Sequence, residues 1–139
     1  MCFYYLFRYK KMNELERNSR KYIENLFRFL DEKGFQKTHY QVNGEEALIY
    51  KKGEFHIAIN YDCFMKMKYV TFDIYYKLWN NSDIIKHLQI KDEQYKLRFQ
   101  NYDNMNCKEK LDLVAEYLSE HVDEVEQEVT STYIATHKY

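Results

Sequence analysis

Between Glu45 and Lys77 apolar and polar residues alternate along the chain. Phe55, Ile57, Ile59 and Tyr61 interleave with His56, Ala58 and Asn60, and Val70, Phe72, Ile74 and Tyr76 with Thr71, Asp73 and Tyr75. A period of two puts one set on a core and the other toward water, which predicts strands covered on one side. Turn chemistry divides the ribbon. Asn43-Gly44 tolerates the positive φ angles of a tight hairpin, and Lys52-Gly53 marks a second turn. Strands are therefore expected over 37–42, 45–51, 54–61 and 67–77, with a longer loop at 62–66. Bringing both apolar sets to one face pairs Ile57 with Phe72 and Ile59 with Val70, and sets His56 opposite Asp73. In the second strand either Ala47 and Ile49 or Leu48 and Tyr50 can point inward, and the alternation does not choose.

Helical spacing flanks the ribbon. From about Asn13 to Lys33, Leu15, Tyr22, Leu26, Phe29 and Leu30 form a stripe with Ile23 and Phe27 at its margin. Gly34 then suits a left-handed cap, with Phe35 folding back as its apolar contact. Beyond Trp79, Asn81 or Ser82 is expected to cap a short helix holding Ile84, Ile85 and Leu88. In the stretch 89–106, Tyr95, Leu97 and Phe99 alternate like a fifth strand or belong to an irregular docking segment. Asn106 to Glu109 reads as a capping box, and Leu111, Val114, Leu118, Val122, Val125 and Val129 continue a stripe from it. Thr130, Thr132 and Thr136 predict that this helix ends or frays from Thr130. The expected fold is α+β: a four-stranded antiparallel meander with the N- and C-terminal amphipathic helices packed on one face, in the order α-β-β-β-β-α-α.

At 139 residues, with 45% hydrophobic content, the chain fits a single domain (1–139) with its own core. It has no proline and only three glycines, so neither a linker nor a phosphate-cradling loop is evident. Met1 to Phe7 is apolar but too short to span a membrane, and its charges follow it. Residues 1–11 read as an N-terminal extension, or as lying upstream of a natural start at Met12, which precedes a helix cap. Cys2, Cys63 and Cys107 form no CxxC pair, and free thiols point to a reducing cytoplasm.

The net charge of −1 hides an asymmetry. Residues 1–37 hold nine Lys/Arg against five Asp/Glu, whereas 111–139 hold one against seven. The bland account is two solvated faces that partly pair; the functional one is an acidic surface for a basic partner.

Candidate chemistry is sparse. His56 opposite Asp73 is the one arrangement able to orient a base, but a cross-strand His–Asp contact is usually an ordinary surface pair. His121 shares a helix face with Glu124 and Glu128, yet a metal needs further ligands, and no second ligating helix motif is present. An exposed acidic helix accounts for these residues, and no metal or other cofactor is assigned. Tyr69 and Tyr75 interleave with Lys66, Lys68 and Lys77 as in base-stacking sheets, but the five arginines are scattered and no RNA-binding consensus occurs. Neither nucleic acid nor a membrane is expected as a partner.

The run from Tyr50 to Tyr76, then Ser82 to Leu88, then Cys107 to Val125, resembles a type of small bacterial protein. Its members share a first helix ending in Gly-Phe, a meander whose central strand ends in Tyr-Asp, and a closing helix rich in Leu, Ala, Glu and Lys. Many relatives of this layout are suspected immunity proteins encoded beside toxins. Gly34-Phe35 and Tyr61-Asp62 match as residue pairs, and the resemblance carries over no catalytic residue. It implies a cytoplasmic, non-enzymatic protein-binding domain, an immunity protein or inhibitor facing a basic toxin domain. The candidate surfaces are the outward sheet row (His56, Asn60, Asp73, Tyr75) and the acidic helix (Glu116, Glu120, Asp123, Glu124, Glu128). The alternative is a self-associating structural or chaperone-like module, a homodimer formed through a sheet edge or Phe3 to Phe7.

Overall fold

The computed structural model describes residues 18–62, 67–77, 79–82 and 91–137. Expectations for the N-terminal extension, for the loop around Cys63 and for a helix holding Ile84, Ile85 and Leu88 lie outside the described residues. The first described elements are α1 (Ser19–Leu26) and α2 (Arg28–Glu32). The single helix expected over Asn13–Lys33 is thus interrupted at Phe27, with residues 13–17 outside the described part. Phe27 leaves helical geometry (φ −100°, ψ 17°), and its carbonyl accepts a tighter bond from the Leu30 N–H at 3.0 Å. Its fully buried ring packs 5.9–6.3 Å from those of Phe29, Tyr50 and Phe72. Tertiary packing overrides the local helix preference there.

Gly34, at φ +91°, ends α2 as expected. The Phe35 N–H bonds back to Leu30 O and the Gly34 N–H to Asp31 O, the two bonds of a Schellman cap. Phe35 then packs edge-on against Phe55 at 6.0 Å.

Five antiparallel strands follow in sequential order: β1 (Gln36–Val42), β2 (Glu45–Lys52), β3 (Phe55–Asp62), β4 (Val70–Tyr76) and β5 (Trp79–Ser82). Asn43 and Gly44 both have positive φ (51° and 83°), as a tight two-residue hairpin requires. The four-stranded meander is present, and β5 extends it along β4. Asn81 and Ser82 belong to this strand, and whether either caps a following helix lies outside the described residues.

Register in the third hairpin is two residues from the expected one. Ile57 pairs with Ile74 and Ile59 with Phe72, which puts His56 opposite Tyr75 and Asp73 opposite Ala58. A two-residue slip keeps every side chain on its face, so alternation cannot detect it. In β2, Leu48 and Tyr50 point inward and are fully buried.

Asp92 caps α3 (Glu93–Phe99), its Oδ1 accepting from the Gln94 N–H at 3.0 Å. Tyr95, Leu97 and Phe99, expected in a fifth strand or an irregular docking segment, lie in this helix. Tyr95 and Phe99, four residues apart, both contact Tyr117, while Leu97 stays exposed. After a 3₁₀ turn, the Asn106–Glu109 capping box opens α4 (Cys107–Thr136), about 45 Å long at 1.5 Å per residue. Its expected apolar stripe is buried throughout. The helix does not stop at Thr130; the Thr132 and Thr136 hydroxyls bond back to the carbonyls of Glu128 and Thr132.

The first and last described helices meet the same sheet face. Ile23, Phe27 and Leu30 join the inward side chains of β2 to β4 and the stripe of α4 in one core. The Tyr22 hydroxyl donates to Asp112 Oδ1 at 2.7 Å, tying α1 to α4. No described helix is long and apolar enough to cross a membrane.

Candidate functional site

The outer sheet face carries Gln36, Thr38 and Tyr40 on β1, Ala47 and Ile49 on β2, His56, Ala58 and Asn60 on β3, and Thr71, Asp73 and Tyr75 on β4, as the register dictates. The predicted His56–Asp73 pair does not form. Asp73 Oδ2 instead accepts from the Asn60 amide at 2.9 Å, and the His56 ring lies 6.2 Å from that of Tyr75. Burial, then the nearby Lys51 charge, hold the His56 imidazole below its ordinary pKa. Burial and the Asp73 charge push the Tyr75 phenol up. Among the described residues no carboxylate pairs with His56 to orient it as a general base. At the β1 edge Tyr40 and Val42 are 55% and 66% exposed, beside a shallow hollow of about 180 Å³ that Asn60 and Tyr69 also line.

On α4 the carboxylates divide by partner. The two terminal guanidinium nitrogens of Arg98 donate to the two Glu116 carboxylate oxygens, at 2.9 and 2.7 Å, and the pairing lowers the Glu116 pKa and raises that of Arg98. Asp123 meets Lys33 at 3.2 Å and Glu126 meets Lys52 at 4.0 Å. Internal pairing of the basic first and acidic last helices therefore accounts for part of the charge asymmetry. Glu120, Glu124 and Glu128 have no Lys or Arg within ion-pair distance among the described residues. They sit at four-residue steps, one stripe of like charge along the helix, and all three are exposed.

This stripe borders an open cleft of about 780 Å³ lined by Asp92, Tyr117, His121, Glu124 and Glu128 among others. His121 stands at its wall. Its ring is perpendicular to that of Tyr95 (5.8 Å between centroids) and tilted against that of Tyr117 (4.9 Å). Three carboxylates reach it: Asp92 at 3.5 Å and Glu120 at 3.8 Å from Nε2, and Glu124 at 3.3 Å from Nδ1. Both ring nitrogens are closed to solvent and neither makes a hydrogen bond among the described residues. The sequence pattern had joined His121 to Glu124 and Glu128 only. Asp92 does not stand out as a cap while Tyr95, Leu97 and Phe99 read as a fifth strand or an irregular docking segment; the Tyr95–Phe99 spacing behind an Asp-Glu pair is the available signal. Burial raises the thiol pKa of Cys107, which disfavours its thiolate.

Comparison with models of known protein families, with curated proteins and with solved structures finds no significant match.

Proposed function

We propose that this chain is a small cytoplasmic binding domain that holds a basic region of another protein against the α4 stripe, as an immunity protein or inhibitor would hold a toxin. The observation that carries this reading is the row Glu120, Glu124 and Glu128 beside the open cleft, without Lys or Arg partners among the described residues. Like charges at four-residue steps destabilise a helix by roughly 0.2–0.5 kcal/mol per pair, a cost that a cationic partner would offset. The same charges would steer a basic partner and speed its encounter at low salt. Affinity capture with the full chain, with mass spectrometry to identify what is retained, supplies the partner. Association rates are then measured for the wild type and for Glu124→Lys/Glu128→Lys at low and high salt. The reading expects a basic partner and an association rate at least tenfold lower for the variant at low salt. Equal rates would remove this surface.

A second reading, self-association, draws on Tyr40 and Val42, exposed on the edge strand β1. Sedimentation of the chain with and without residues 1–11, and with Tyr40→Lys, tests it. A monomer in every form ends it.

A further inference from the structure

Independently of any protein partner, the geometry points to a divalent transition-metal site, suited to zinc, formed by His121 Nε2, Asp92 Oδ2 and a Glu120 carboxylate oxygen. One ligand atom from each of these three residues lies within 4.8 Å of the others. A tetrahedral ion with bonds of about 2.1 Å has ligand atoms about 3.4 Å apart. Nε2 stands 3.5 Å from Asp92 Oδ2 and 3.8 Å from Glu120 Oε2, close to two edges of that tetrahedron. Only a small swing of the exposed Glu120 side chain is needed to close the third.

The surroundings fit a ligating imidazole. Nδ1 lies 3.3 Å from Glu124 Oε2, a carboxylate that a small shift would let accept from Nδ1–H, fixing the tautomer that leaves the Nε2 lone pair for a metal. The rings of Tyr95 and Tyr117 pack against the imidazole and restrict its rotation. The Asp92 oxygen that caps α3 is Oδ1, so Oδ2 remains for the site. An ion on Nε2 would satisfy a nitrogen that is shut off from water and makes no hydrogen bond among the described residues, an arrangement that is costly if left so. The ligands come from two elements, the cap of α3 and the middle of α4, so a bound ion would also pin the short helix to the long one. Three protein ligands beside an open cleft leave a fourth position for water or an incoming donor.

The experiment is a calorimetric titration of the full chain with zinc chloride, after metal removal by a chelator and exchange into chelator-free buffer. The expected result is saturable uptake of one equivalent. His121→Gln should abolish it, Asp92→Asn and Glu120→Gln should weaken it strongly, and Glu124→Gln should weaken it by about 10–100-fold. Glu126→Gln, whose carboxylate faces Lys52, should change nothing. Asparagine caps a helix as well as aspartate does, so Asp92→Asn tests the ligand without removing the cap. Cobalt(II) in place of zinc should give the intense visible bands of a tetrahedral ion. No saturable uptake, or uptake that survives both His121→Gln and Asp92→Asn (zinc held elsewhere), would overturn the site; a pale octahedral cobalt spectrum would overturn its geometry.

Discussion

The ring of Tyr133 lies 4.8 Å from that of Tyr76, joining the last turns of α4 to the end of β4. Lys77 adds its ammonium 5.4 Å from the centre of the same ring, and His137 stacks on that ring at 4.1 Å. These contacts explain why a threonine-rich segment of poor helix propensity stays helical to Thr136. Tyr133→Ala should cost roughly 0.5–1.5 kcal/mol. Hydrogen exchange should then show protection lost from Thr130 to Thr136 and retained from Val114 to Val125. Unchanged protection in the last turns would mean that the backbone alone holds them.

Two buried tyrosines predict opposite outcomes on removal of a hydroxyl. Tyr61 donates to Glu46, which also faces His39 at 3.1 Å, whereas the Tyr50 hydroxyl has no hydrogen-bond partner among the described residues. Tyr61→Phe should cost about 1–3 kcal/mol, and Tyr50→Phe should be neutral or stabilising by up to about 1 kcal/mol. Burial pushes both phenols above their ordinary value of 10, and in Tyr61 the Glu46 bond adds to it. The unfolded chain therefore releases these protons first as pH rises, so stability present below pH 10 is lost above it. Urea titrations at pH 7 and about pH 11 should show a smaller alkaline loss in Tyr50→Phe than in the wild type.

His56 gives the acid counterpart. Its folded pKa lies below the ordinary 6.5, through burial first and Lys51 second. As pH falls through 6.5 the unfolded chain takes up the proton before the folded one does. The stability present above that value is then lost progressively, until pH passes the depressed folded value. His56→Gln should shrink the difference in urea midpoint between pH 7 and about pH 5. A difference equal to the wild type's would assign the acid loss to other groups.

Gly34 sits at φ +91° with open space where a Cβ would project, so substitution there meets a backbone penalty and no steric one. Gly34→Ala should lose about 1–2 kcal/mol, and Gly34→Asn less, by thermal denaturation. Equal losses in the two variants would point to another cause.

The reach of the sequence differs from element to element. The α4 stripe, the Asn43-Gly44 turn and the Gly34-Phe35 cap depend on residues within a few positions of one another, so spacing reveals them. The sheet face of each strand was legible for the same reason in β3 and β4. In β2 both alternating sets are apolar enough to face a core, and only packing against Phe27 selects Tyr50. The candidate sites were less legible. Glu120, Glu124 and Glu128 announce themselves by four-residue spacing, but nothing local shows that Arg98 claims Glu116 or that Lys33 claims Asp123.

By itself, then, the chain determined an α+β domain: an antiparallel meander, its turns, and amphipathic helices at its flanks. Those follow from periodicity and turn chemistry, which act over a few residues. Tertiary structure decided what distance along the chain conceals. It chose the two-residue register that parts His56 from Asp73, since both registers bury the same face. It added β5 because β4 offered an open edge. It also carried Asp92 across to His121, 29 positions away in sequence, because the aromatic packing of Tyr95 and Phe99 on Tyr117 docks α3 against α4.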